Sequence, residues 1–207
     1  NAGSSLKLCL IAAGEADPQR IAIMGFSRGG ITVQRSAVER IIAAHKLPDG
    51  LRFAAHIPVY AGGCVGAFRL RVKPGVFSKA PQLWLHGNAD DYAAMAPCEA
   101  YAKQIAEAGT PVEFVVLDGA GHKFDADDPR RVFLRGAQRT LDTCPVEIDI
   151  DTFAAYDRST GQRLQGEAYQ ATLKSCSAVG ASVEGNAKAR DRAAQVTLAF
   201  LSKVFAK

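Results

Sequence analysis

No stretch of this sequence approaches the roughly 18 consecutive apolar residues that a membrane-spanning helix needs, so a membrane partner has no support. Runs of Lys and Arg interleaved with aromatics are also missing. Aromatic residues make up 8% of the chain, and 25 basic against 21 acidic residues leave a net charge of only +4, which gives no footprint for nucleic acid. The densest basic stretch, 128–139, reads as the solvated face of a helix over 129–141. None of the five cysteines (Cys9, Cys64, Cys98, Cys144, Cys176) belongs to a CxxC pair and no His stands at ligand spacing from one, so the common zinc patterns are excluded. Internal repeats and low-complexity tracts are absent. No signal peptide is visible, but the chain begins at Asn1 rather than Met, which leaves room for a removed leader.

What is present describes a globular protein. At 207 residues, 48% of them hydrophobic, the chain can bury a sizeable core in a single domain. Four short apolar runs, 20–26, 53–60, 82–86 and 112–117, are apolar on both faces, as strands are when helices cover both sides of a parallel sheet. Helical spacing lies between them, over 30–45 and 97–108, the latter with Pro97 at its start and Gly109 just past its end. Strand alternating with helix predicts an α/β fold with a mostly parallel sheet. Residues 142–186 break the rhythm: they are polar, carry turn signals, and contain one alternating run at 146–150. They read as an insertion within the domain, and an amphipathic helix over 187–205 closes the chain.

Two readings of the cysteines stand, two disulfides plus one free thiol or five unpaired buried thiols. Cys144 and Cys176 flank the polar segment and are placed to staple it. Cys64 and Cys98 follow predicted strand ends and are placed to meet at one edge of a sheet.

The chemistry concentrates at strand ends. Gly25-Phe26-Ser27-Arg28-Gly29 fits GxSxG, a weak pattern alone, but it sits where an apolar strand gives way to a helix. That is the setting of a nucleophile elbow, where flanking glycines leave room for a tight turn and the serine projects above the sheet edge. The backbone N–H of Arg28 then faces a developing oxyanion at a helix N-terminus. Serine is a poor nucleophile without a base and an orienting acid. Asp90 follows the run 82–86 and His122 follows 112–117, both on the carboxyl edge of the sheet, in the chain order Ser–Asp–His of α/β-hydrolases. His45 reads as a solvated helix end, His56 as a core histidine, and His86 as a residue that helps to hold the acid loop. Asp125, Asp127 and Asp128 read as loop surface or the cap of the 129–141 helix.

Gly25-Phe-Ser-Arg-Gly-Gly30, His86-Gly-Asn-Ala-Asp90-Asp-Tyr92 and Gly119-Ala-Gly-His-Lys-Phe-Asp125 together resemble the dienelactone hydrolase family of α/β-hydrolases. The resemblance covers residues 15–125 and leaves 142–186 outside it. It implies an α/β-hydrolase fold with a C-terminal disulfide-stapled insertion, Asp90 rather than Asp91 as the acid because it completes Gly87-x-x-Asp90, and His122 as the base. Ser27 stands where the best-known members have cysteine, which is similar to exported, esterase-type relatives and implies a periplasmic or secreted enzyme. Cys64 and Cys98 match a cysteine pair found in those relatives. The family's sheet begins before the elbow strand, with a second oxyanion donor. Only 20 residues precede Ile21 here, and 4–13 resembles the end of a preceding helix, so residues 1–207 are expected to be an N-terminally incomplete α/β-hydrolase domain.

The expected activity is hydrolysis of a small carboxylic ester or lactone through an acyl-enzyme on Ser27, Asp90 and His122, with no cofactor or metal. The alternatives are a serine peptidase or amidase on the same residues, or a non-catalytic binding protein that keeps the fold. Tyr92 and Tyr60 are the candidate substrate-binding residues, with Phe68 and Trp84 as further apolar candidates. The pocket walls are expected from 62–78 and the 142–186 segment. The sequence does not disclose an oligomeric state.

Overall fold

The computed structural model describes residues 17–45 and 51–206. Cys9 and the expected helix end at 4–13 lie outside them. All four expected strands form: β1 (Ala22–Phe26), β2 (Ala55–Val59), β3 (Gln82–Gly87) and β4 (Val112–Leu117). They pair in parallel in the order β1-β2-β3-β4, with Phe26 opposite Val59 and Leu85 opposite Val115. Successive side chains point to opposite faces. Trp84 therefore joins Val38, Phe77, Tyr101 and Ile105 on one side, while Leu83 and Leu85 join Ile57, Leu117, Phe124 and Phe200 on the other. Every residue of β2 and β3 is buried, which is why apolar residues occupy both faces without alternation, with His56, Gln82 and His86 as the buried polar exceptions.

The helices depart from expectation in three places. The helix expected over 30–45 is two helices, α1 (Arg28–Ser36) and α2 (Glu39–Ala44). Between them Val38 is extended and forms a bridge with Phe77, the Glu39 N–H donates to the Val76 carbonyl, and the Ser78 N–H donates to the Ala37 carbonyl. Pairing with a distant segment thus overrides helical spacing. The next helix, α3 (Met95–Glu107), starts two residues earlier than Pro97 suggested, and Pro97 sits in the first turn where a missing N–H is harmless. Gly109 ends it with φ +97°, in the left-handed region that favours glycine.

The third departure is the largest. Residues 129–141 do not form a helix. Instead β5 (Val132–Thr140) pairs antiparallel with β9 (Ser177–Val183), with a register shift between Leu134 and Gln138. Between these strands lie a small sheet, β6 (Val146–Ile148), β7 (Ala155–Asp157) and β8 (Arg163–Leu164), and helix α4 (Gly166–Ser175). Disulfides Cys64–Cys98 and Cys144–Cys176 both form. The second closes the excursion beneath Val65, Val146 and Ala155. The C-terminal helix α5 (Ala187–Phe205) has the expected bounds and lays Ala189, Ala193 and Phe200 against the β2–β3 face. Asn186 caps it by accepting from the Ala189 N–H. Among the described residues no helix is long and apolar enough to cross a membrane.

Candidate active site

Ser27 stands between β1 and α1 with φ 51° and ψ −114°, a backbone region that serine seldom adopts. Its N–H donates to the Val59 carbonyl and its carbonyl accepts from the Ile31 N–H, so the turn is fixed to β2 on one side and to the helix on the other. The room the turn needs comes from Gly25 and Gly30. A Cβ on Gly30 would lie 2.8 Å from that of Ala61, and one on Gly25 would lie 2.5 Å from the Gly29 carbonyl oxygen. Gly29 was expected to provide such room, but a Cβ there would meet nothing within 4 Å. It is the Gly29 backbone, not its missing side chain, that crowds Gly25. Arg28 is the first residue of α1.

The loop after β3 wraps around Asp90, whose Oδ1 accepts the N–H groups of Tyr92 (2.9 Å) and Ala93 (2.8 Å). His86, buried on β3, donates from Nε2 to the Ala93 carbonyl at 2.7 Å and holds this loop, as its position suggested. The loop after β4 carries His122. A Cβ on Gly87 would lie 2.0 Å from the Ala120 carbonyl oxygen, so the loops that carry Asp90 and His122 touch backbone to backbone. Asn88 cross-links them: its amide donates to Asp118 at 2.9 Å and accepts from the Gly119 N–H at 2.8 Å.

These loops bring Ser27, Asp90 and His122 into one hydrogen-bonded chain. With the proton on His122 Nδ1, that N–H donates to Asp90 Oδ2 at 2.8 Å, and the Ser27 hydroxyl donates to His122 Nε2 at 2.8 Å. Asp90 and His122 are buried. Burial by itself raises the Asp90 carboxyl, but the His122 hydrogen bond, the nearby His86 Nε2 at 3.6 Å and the Ala93 N–H outweigh it and hold the group at about 2. It is therefore a carboxylate throughout the neutral range. Asp91, the neighbouring carboxylate, points elsewhere and accepts from the Ser182 N–H and Arg131.

Ser27 and His122 open onto a cavity of about 500 Å³. Its walls come from α1 (Arg28, Ile31), the 62–68 loop (Val65, Phe68), the loop after β3 (Tyr92, Ala93) and β5 (Gln138, Arg139, Thr140). The expected contribution from 62–78 is thus present at its start. The later segment contributes Asp142 and Ser177, while the greater part of that wall is β5, which the helical reading of 129–141 had hidden. Tyr92 lies in the cavity with its ring 4.7 Å from that of His122. Tyr60 is not among the lining residues. It is buried, with its ring against His122 (4.7 Å) and Phe124 (5.1 Å) and its hydroxyl donating to Asp125. Trp84 belongs to the core. His56 is buried against the Ser36 hydroxyl, and His45 is exposed at the end of α2. Asp125, Asp127 and Asp128 cap no helix. They meet Tyr60, Arg190 and Arg130.

A strained strand-to-helix serine, followed by an aspartate and a histidine after successive parallel strands, is the α/β-hydrolase arrangement. No protein-family model and no curated protein matches the sequence. Among solved structures, the chain is similar to esterase PE8 at 22% identity, covering 60% of this chain and 52% of that one with a TM-score of 0.43. It is similar to a thermophilic esterase of the planctomycete Thermogutta terrifontis at 20% identity (59% and 52% covered, TM-score 0.44), and to puromycin hydrolase at 20% (58% and 21%, TM-score 0.45). The matched part spans about half the length of the two esterases.

Proposed function

We propose that this chain carries the reacting residues of a serine hydrolase for small carboxylic esters or lactones, of the dienelactone hydrolase type. The observation that carries this reading is the chain Asp90–His122–Ser27, both links 2.8 Å, opening on the cavity. Nothing in folding requires a buried carboxylate, an imidazole and a hydroxyl on a strained turn to line up, and strain at such a turn is a cost that function explains.

In this mechanism Ser27 Oγ attacks the substrate carbonyl carbon while His122 Nε2 takes its proton, and the charged imidazole is held by Asp90. The carbonyl oxygen becomes an oxyanion facing the Arg28 N–H, at the positive end of α1. Collapse of the tetrahedral adduct breaks the ester C–O bond, and His122 returns the proton to the leaving oxygen. Water then attacks the acyl-serine and gives a proton to His122; collapse of this adduct breaks the bond to Ser27 Oγ, and His122 returns the proton to Oγ, which releases the acid and restores Ser27. No metal or cofactor takes part in these steps. A cavity of about 500 Å³ suits a small molecule, and Tyr92 beside His122 is placed to contact it. Tyr60 packs on the His122 ring and steadies it beside the cavity. Two disulfides fit an oxidising compartment, the periplasm or the exterior. We read the described residues as part of one such domain, with 142–186 as an insertion within it.

The test is hydrolysis of a simple aryl ester by the complete protein and by its Ser27→Ala variant. The reading expects a loss of at least about 1000-fold in kcat. An unchanged rate would refute it, and turnover of amides in preference to esters would replace the ester assignment by an amidase.

A further inference from the structure

Residues 182–186, the end of β9 and the turn into α5, donate the backbone N–H groups of 182, 184 and 186 towards the loops that carry Asp90 and His122, and that of Gly185 to the Asp128 carbonyl at 2.8 Å. The Ser182 N–H goes to Asp91 Oδ1 at 2.7 Å, that of Glu184 to the His122 carbonyl at 3.0 Å, and that of Asn186 to the Phe124 carbonyl at 2.8 Å. In an extended chain N–H groups two residues apart face the same way, so this segment works as a comb. Two of its teeth hold the backbone of the loop carrying His122. The remaining one holds the loop carrying Asp90, and it does so through a side chain, that of Asp91.

We infer that Asp91 is a positioning residue: by fixing the acid loop to the comb that also holds His122, it sets the separation of Asp90 from His122. This rests on the serine-hydrolase reading above. Asp91 does not line the cavity and its carboxylate takes no part in the Asp90–His122–Ser27 chain. Its other oxygen accepts from Arg131 at 3.2 Å, an ion pair about half exposed on both sides and therefore weak. The backbone hydrogen bond is what matters. It also explains why the β5/β9 ribbon lies beside the site: the excursion supplies a cavity wall and, two residues before Glu184, an anchor for the acid loop.

The consequence is a change in the chemical step and not in binding. Displacements of about 1 Å at a reacting group lower rates by as much as about 100-fold. In the complete protein, Asp91→Ala is expected to slow the inactivation rate constant with a fluorophosphonate about tenfold or more. The half-saturating probe concentration should stay within about twofold, and the melting temperature within about 4 °C. Asp91→Asn keeps an acceptor oxygen for the Ser182 N–H and should recover to within about threefold of the parent. Equal rates for Asp91→Ala and the parent, or equal losses in the Ala and Asn variants, would overturn the inference while leaving the hydrolase reading intact. A parent protein that takes no probe at all would overturn both.

Discussion

Gly25 and Gly29 meet back to back beneath Ser27: a Cβ on Gly25 would lie 2.5 Å from the Gly29 carbonyl oxygen and 2.6 Å from its carbonyl carbon, while a Cβ on Gly29 would point into open space. The two glycines of one motif therefore have different physical reasons. Gly25→Ala forces backbone apart at the turn that holds Ser27, and we expect it to lose about 2 kcal/mol or more of stability together with probe labelling. Gly29→Ala lies in the first turn of α1 and should be neutral or stabilising, by up to about 1 kcal/mol. Denaturant unfolding of the two variants checks this. Equal destabilisation would mean that the elbow is packed differently.

The disulfide Cys144–Cys176 spans 32 residues and closes the segment that holds β6, β7, β8 and α4. These strands are two or three residues long and the core beneath them is small, so chain entropy bears heavily on them. Replacing both cysteines with alanine should lower stability by about 3 kcal/mol. Because β5 and β9 flank the bridge and reach the cavity, limited proteolysis is expected to cut within 141–177 first. Unchanged stability and unchanged cleavage sites would contradict this account.

Acid should weaken the protein in a defined window. Asp90 is held at about 2, burial opposing and the His122 hydrogen bond prevailing. Asp149 is held at about 2, first by the Lys73 ammonium against its burial and then by the Thr152 and Asp151 N–H groups. Both lie below the ordinary aspartate value of about 3.9, so the folded state favours the carboxylates. Their contribution is fully present above pH about 4 and is lost as pH falls towards 2. Denaturant midpoints should drop across that window in the parent and less steeply in an Asp90→Asn variant. Identical slopes would show that Asp90 is not held as described.

Much of this was legible in the sequence because the informative signals were local. The four parallel strands are apolar on both faces, which requires no knowledge of their partners, and Ser27, Asp90 and His122 each follow such a run. What stayed hidden depended on distant pairing. Val38 leaves the helical path because residues 76–78 offer it a partner, and Val132–Thr140 is a strand because Ser177–Val183 lies beside it. The spacing of its arginines resembles a helix face equally well. The contact of Asp91 with the Ser182 N–H is hidden for the same reason, since it joins residues 91 positions apart. The place of Tyr60 also depends on a distant partner. A tyrosine at a strand end has a polar tip, and here the Asp125 carboxylate satisfies it inside the fold, away from the cavity lining.

The most direct test of the central claim is the intact mass of the protein after exposure to a fluorophosphonate, with the adduct mapped by peptide sequencing. Geometry that places the Ser27 hydroxyl 2.8 Å from His122 Nε2, itself 2.8 Å from the Asp90 carboxylate, predicts one adduct per chain, on Ser27. It should vanish in Ser27→Ala and become at least about 100-fold slower in His122→Ala. No adduct, or an adduct on another residue that survives Ser27→Ala, would contradict the account.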